Sequence, residues 1–159
     1  MNREATADLQ IWWLVDSDLD EALEIDSECH GDLSWTREDL SSEKKHPSRT
    51  VVAAKNSASE IVGWGIYEKN APSIEVVRTS HSSLPGGERI YQYVMSRLAY
   101  SDSRFFEAYE LVPERLFETR CRLLSDLGWI ASRTFGESES PLYWPEAEPG
   151  VEMIFRRGW

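Results

Sequence analysis

The sequence is short of basic residues, of cysteine and of long apolar runs. Its 17 lysines and arginines stand against 28 aspartates and glutamates, a formal net charge of −11 at pH 7. Proteins that grip a phosphate backbone do so through basic patches and counterion release, so this balance argues against nucleic acid as a partner. An acidic surface favours an amine or a basic peptide instead. Cys29 and Cys121 lie far apart, with no Cys-x-x-Cys pair and no His/Cys spacing suited to zinc. No metal is expected, and both thiols read as reduced core residues on apolar helix faces. No apolar run approaches the ~20 residues that span a bilayer. The polar, acidic start MNREATADLQ lacks the apolar stretch of a secretory signal, so a cytoplasmic protein without a membrane partner is expected.

Aromatic and apolar residues are plentiful. Hydrophobic side chains make up 41% of the 159 residues, with seven tryptophans. That composition excludes a disordered chain and suits one packed domain over residues 1–159. Trp12, Trp13, Trp64 and Trp129 are expected in the core. The three histidines, His30, His46 and His81, are scattered without the Ser/Asp neighbours of a hydrolase triad, and read as surface or capping residues. The phosphate-loop pattern GxxxxGK[ST] is absent.

Periodicity gives the element order. IWWLV (11–15) has strand length, and DSDLDEALEIDSEC then places Leu19, Ala22, Leu23, Asp26 and Cys29 at helical spacing, with Asp16 or Ser17 as N-cap. In SWTREDL, Thr36 and Asp39 have capping-box spacing and Trp35 can staple against Leu40. Pro47 ends that helix. Strands are expected at 50–55, 60–68, 73–78 and 104–112. PERLFETRCRLLSDLG reads as a helix with Pro113 near its first turn and Gly128 at its end. WIASRTF and VEMIFRR close the chain as strands. Between 81 and 94, HSSLPGGERIYQYV is a turn opening a helix with Ile90, Tyr91 and Val94 on one face. The order β-α-α-β-β-β-α-β-α-β-β predicts a mixed α/β fold with a partly parallel central sheet flanked by helices.

These elements, in this order and spacing, resemble the GNAT superfamily of acyl-CoA-dependent N-acyltransferases over nearly the whole chain. DLDEALEID, SWTREDL, TVVAAK and EIVGWGIYE are most similar to the branch that acetylates the N-terminal amine of ribosomal proteins. LLSDLGWIASRTF is similar to the family's closing helix, Gly-aromatic pair and next strand. The resemblance implies acetyl-CoA as co-substrate and an amine-bearing peptide or small molecule as acceptor, with a homodimer left open. In the family the strand matching SIEVVR bulges, acyl-CoA lies in the resulting V, and the next loop binds the pyrophosphate through its amides.

By that resemblance Val76 and Val77 hold the pantetheine and thioester, with Arg78 beside them as a cofactor-binding residue, and Pro85, Gly86, Gly87, Glu88 and Arg89 form the pyrophosphate turn. A helix N-terminus suits such a role through its free N–H groups and dipole. The turn departs from the family's Arg/Gln-x-x-Gly-x-Gly/Ala pattern. Ser82 stands in the Arg/Gln place, and Pro85, which has no N–H, in the first-glycine place. Glu88 opposes a phosphate, and Arg78 and Arg89 are the basic residues near enough to offset it.

Acyl transfer to an amine needs a base, an oxyanion donor and an acid for the thiolate. Candidate bases are Glu75 on the bulged strand and Glu107 or Glu110 on the next, of which strand parity lets only one face the cleft. The resemblance implies as donor a backbone N–H of the bulged strand, from Val76, Val77 or Arg78. Where the family has its acidic tyrosine this chain has Leu124, leaving water or Tyr91, Tyr93, Tyr109 or Tyr143. Trp35 is the candidate acceptor-groove residue. The alternative reading is a GNAT-fold binding or regulatory module without catalysis. A third, purely structural reading predicts a V filled by side chains, with Phe105 and Phe106 as the filling.

Overall fold

The computed structural model describes residues 9–70, 72–82, 91 and 106–156. Strand β1 (Gln10–Trp13) leads through a 3-10 turn at Asp16–Asp18 into helix α1 (Leu19–His30). A second such turn at Gly31–Leu33 precedes α2 (Arg37–Lys45). Strands β2 (Arg49–Lys55), β3 (Ile61–Asn70) and β4 (Ser73–His81) follow. After β5 (Glu107–Pro113) come α3 (Phe117–Asp126), β6 (Ile130–Phe135) and β7 (Gly150–Arg156). The seven strands form one sheet in the order β1-β2-β3-β4-β5-β7-β6. Only β4 and β5 run parallel among its pairs. This is the mixed α/β arrangement expected from the sequence. The turn 83–89 and most of the helix expected after it lie outside the described residues, Tyr91 excepted, which is helical and buried. No described helix is long and apolar enough to cross a membrane.

Local sequence explains the helix ends. At α2 the Asp39 N–H donates to Thr36 Oγ1 at 3.2 Å and the Thr36 N–H to Asp39 Oδ2 at 2.9 Å, a complete capping box. Trp35 and Leu40 bury in one core cluster, as a staple requires. At α1 the expected caps do not form. Asp16 to Asp18 coil into the 3-10 turn, Asp18 Oδ2 accepts the Val15 N–H at 3.1 Å, and the helix begins only at Leu19. Its end falls at Gly31, whose φ of +58° needs a residue without Cβ. Pro113 ends β5 rather than opening a helix, and a 3-10 turn at Glu114–Leu116 delays α3 to Phe117.

Each face of the sheet carries its own core. Leu19, Ala22 and Ile25 of α1 and Leu40 of α2 pack with Val51, Ala53, Trp64, Ile66 and Val77. Leu123 and Leu124 of α3 pack on the other face with Val62, Ile74, Val76, Tyr91, Ala108 and Met153. Trp64 and Trp129 are core residues as expected. Trp12 and Trp13 are not, at 55% and 67% exposure, because β1 is a four-residue strand at the sheet edge. Cys29 and Cys121 are free and only half-buried. A Cβ on Gly150 would press on the Val112 carbonyl oxygen and lie 2.6 Å from Phe135 Cζ, so β7 approaches β5 at the limit set by glycine. Gly150→Ala is expected to lower stability by about 1–3 kcal/mol, the range for overpacking a tight interior, read by urea unfolding.

Candidate active site

The β4–β5 pair comes apart partway along. Its parallel register runs from Ser73 opposite Glu107 to Val76 opposite Glu110 and then stops, while β4 continues to His81 and β5 to Pro113. A bulge in β4 sits at the same level. Ile66 of β3 pairs with Arg78 but Tyr67 pairs with Val76, so Val77 is the extra residue. A bulge breaks face alternation and bends its strand. Val76 therefore packs in the α3-side core, whereas Val77 and Arg78 both turn towards α1. Val76, Val77 and Arg78, singled out from the sequence, stand at the point of parting.

The Arg78 side chain, however, is withdrawn from any phosphate. Its Nε and Nη2 donate to Asp26 Oδ1 and Oδ2 of α1 at 2.9 and 3.0 Å, and Nη2 also reaches the Leu33 carbonyl at 2.9 Å. The guanidinium lies 4.8 Å above the Trp35 ring. Wholly buried Asp26 also accepts the Trp35 N–H at 2.7 Å and the Ser80 hydroxyl. Asp26 was visible in the sequence as an acid within an apolar helix stripe, which is the signal of a buried charge that needs a cation.

Of the three candidate bases, Glu75 and Glu110 face opposite sides of the sheet. Glu110 points to α3, only 2% exposed. It accepts the Tyr91 hydroxyl at 2.6 Å, Arg120 Nη1 at 3.1 Å and the Thr79 hydroxyl at 3.5 Å. Burial pushes its carboxyl up, and Arg120 with the two hydroxyls pulls it back. Glu75 points to the α1–α2 side. It accepts Tyr143 Oη at 2.9 Å and Tyr109 Oη at 3.4 Å. Burial first and Glu75 second raise both phenols, Tyr109 up to about 12 and Tyr143 well above the ordinary range. Glu107 lies at the far, paired end of β5, 3.5 Å from Arg156.

Tyr143 also lines a groove of about 200 Å3 with Trp35, Asp39, Ser42, Glu43, Trp144 and Pro145. Trp35 borders this groove, though most of its indole is core. Trp144 and Pro145 have a second role, because they also wall a cavity of about 20 Å3 between the parted strands, beside Val77, Glu110, Leu111 and Arg120. Leu124 is fully buried and offers no proton. Phe106 is exposed and does not fill the gap; Phe105, Tyr93 and the turn Pro85, Gly86, Gly87, Glu88 and Arg89 lie outside the described residues.

What fills the gap is polar. Arg120 of α3 donates through Nη2 to the Thr79 carbonyl at 2.8 Å, and His30 Nε2 lies 3.0 Å from the same oxygen. Helical spacing in PERLFETRCRLLSDLG puts Phe117, Cys121 and Leu124 on one apolar face and leaves Arg120 off it. The buried face is Arg120, Leu123 and Leu124, and Phe117 is exposed. His30 was expected at the surface and is buried instead, since α1 ends against β4. Bonding the carbonyl fixes the proton on Nε2, and Nδ1 faces Arg115 at 3.4 Å.

Burial, then the nearby arginines, bring His30 down from 6.5 to about 2. Between those values the unfolded chain binds a proton that the fold refuses. The contribution of His30 to stability is complete above about pH 6.5 and falls as pH drops towards 2, by up to about 1.4 kcal/mol per unit. Urea unfolding from pH 7.5 to 4 is expected to show that slope in the difference between the wild type and His30→Gln.

No family profile matches the chain, and no curated protein matches it. Solved structures do. The ribosomal-protein-S18-alanine N-acetyltransferase of Escherichia coli superposes with a TM-score of 0.71 at 12% identity, over 93% of both chains. A chimera of the spermidine N-acetyltransferase SpeG from Vibrio cholerae with hSSAT gives 0.75 at 13%, over 94% of this chain and 96% of the other. The parted parallel strands and the bulge in β4 are the features that the family resemblance led one to expect. The chain has the fold of the GNAT N-acetyltransferases.

Proposed function

We propose that the protein is an acyl-CoA-dependent N-acyltransferase that acetylates an amine on a peptide or small molecule by direct transfer. The observation that supports it best is the parallel pair that stops at Val76–Glu110 beside the Val77 bulge. Parting leaves backbone groups of β4 without a β5 partner, and an acyl thioester with an amide-bearing arm matches such an edge. Acetyl-CoA supplies the acyl group. An N–H at the bulge, from Val77 or Arg78, faces the oxygen on which charge develops.

The amine enters by the groove under Trp35, where Asp39 and Glu43 favour a cation. Glu75 is the base in this reading, with Tyr143 Oη between it and the groove. Glu110 is less suited, since three donors hold it on the other face. With Leu124 in the acid's place, the thiolate takes its proton from water. The turn with Gly86 and Gly87 supplies pyrophosphate amides. Release of CoA thiol is the assay, with spermidine and a peptide bearing a free N-terminal alanine as acceptors. Amine-dependent release is expected, with kcat reduced about 10²–10⁴-fold in Glu75→Gln at an unchanged melting temperature. Equal rates in wild type and variant would remove Glu75 from the role.

The narrowness of the gap favours a second reading, a binding or regulatory module without catalysis. A cavity of about 20 Å3 holds roughly one water. Acetyl-CoA that binds without turnover towards any amine would decide for it.

A further inference from the structure

Four elements meet at one side chain. Arg120 leaves α3, donates to Glu110 of β5 at 3.1 Å and to the Thr79 carbonyl of β4 at 2.8 Å, reaches Cys29 Sγ of α1 at 3.4 Å, and lies 4.9 Å above the ring of Tyr91. It is 5% exposed. Thr79 pairs with Gly65 of β3, yet its carbonyl takes bonds from Arg120 and His30, so that oxygen points away from β3 into the gap. A strand edge opened by parting needs donors for its carbonyls. Here a guanidinium provides one, spanning from β4 to β5 in place of the missing ladder.

The amide-bearing arm of an acyl thioester needs that same edge and that same volume. With Arg120 in place the gap retains about 20 Å3, far less than such an arm occupies. The two occupants exclude one another. Resting on the acyl-CoA reading above, we propose that Arg120 is a displaceable latch: the arm enters between β4 and β5 only when the guanidinium leaves the Thr79 carbonyl and Glu110.

The departure has a defined electrostatic consequence. Among the described residues, Glu110 would then keep the Tyr91 and Thr79 hydroxyls as its donors and remain buried. A buried carboxylate stripped of its cation takes up a proton. Binding of acetyl-CoA near neutral pH therefore draws a proton from solution in the wild type, and draws none through this group where Glu110 is replaced.

The test is a calorimetric titration with acetyl-CoA in two buffers of different ionisation enthalpy. It compares the wild type, Arg120→Lys, and the paired variant Arg120→Met/Glu110→Leu. Lysine keeps the charge for Glu110 but cannot fork to Thr79 as well, and the paired variant carries no buried charge to unfold it. Expected is a Kd at least tenfold lower in the paired variant, whose methionine has similar volume but is tied by no hydrogen bond to Thr79 or β5 and so is displaced more easily. An intermediate value is expected in Arg120→Lys, and proton uptake in the wild type that the paired variant lacks. A merely structural Arg120 would give the reverse order, with a loosened site binding more weakly. Equal or weaker binding in both variants, with the wild type binding, overturns the latch and leaves the acyl-CoA reading standing. No binding by any of the three overturns the acyl-CoA reading and the latch together.

Discussion

Arg120→Met is expected to lower the unfolding free energy by about 3–5 kcal/mol, because it leaves the Glu110 carboxylate buried without its cation. Methionine keeps much of the volume of the side chain, so the loss is electrostatic rather than a cavity. The contact to the Thr79 carbonyl goes as well, although His30 still serves that oxygen at 3.0 Å. Adding Glu110→Leu removes the orphaned charge, and the paired variant is expected to recover most of the loss. Urea unfolding at pH 7 measures both. A single variant as stable as the wild type would mean that water reaches Glu110 and that the parted strands are wetter than their 20 Å3 cavity indicates.

Asp26→Asn should cost a similar amount, about 3–5 kcal/mol, from the other side of the same strand. Among the described residues Asp26 is the carboxylate that pairs with Arg78, and it also holds the Ser80 hydroxyl and the Trp35 N–H. Asparagine retains an acceptor but not the charge, and one of its ends becomes a donor facing a guanidinium. Trp35 then loses its anchor at the start of α2, so its fluorescence is expected to shift to the red together with the drop in stability. The two ion pairs are joined through Thr79 and Ser80 on β4. Combining Asp26→Asn with Arg120→Met should therefore depart from additivity by about 0.5–3 kcal/mol. Strict additivity would show that the two pairs act independently.

Much of the scaffold is legible in the chain because its signals are local. Thr36 and Asp39 mark the start of α2, Gly128 marks the end of α3 with a φ of +93°, and most strand runs keep their expected places, although β4 runs on to His81 and β5 begins at Glu107. The parting of β4 from β5 is only half legible. SIEVVR reads as a strand, but a bulge is defined by its partner's register, and no pattern within six residues fixes it at Val77. Charges inside the fold are harder still. Arg120 and His30 carry polar side chains on helix faces, and periodicity assigns such residues to solvent by default. Only the facing carboxylate and carbonyl, Glu110 and Thr79, distant in sequence, make burial tolerable. Trp12 and Trp13 fail in the opposite sense. Their hydrophobicity predicts burial, while an edge strand of four residues gives them little to pack against.

Binding of an acyl-CoA by the parted strands and by the segment after β4 is what the proposed function requires. It is tested by a titration of the protein with acetyl-CoA, with Gly87→Glu alongside to add bulk and charge to that segment. Saturable binding by the wild type is expected, with its loss in Gly87→Glu and the melting temperature of the variant unchanged. Absence of saturable binding by the wild type at millimolar acetyl-CoA would contradict it, and the GNAT fold of this chain would then serve something other than acyl transfer.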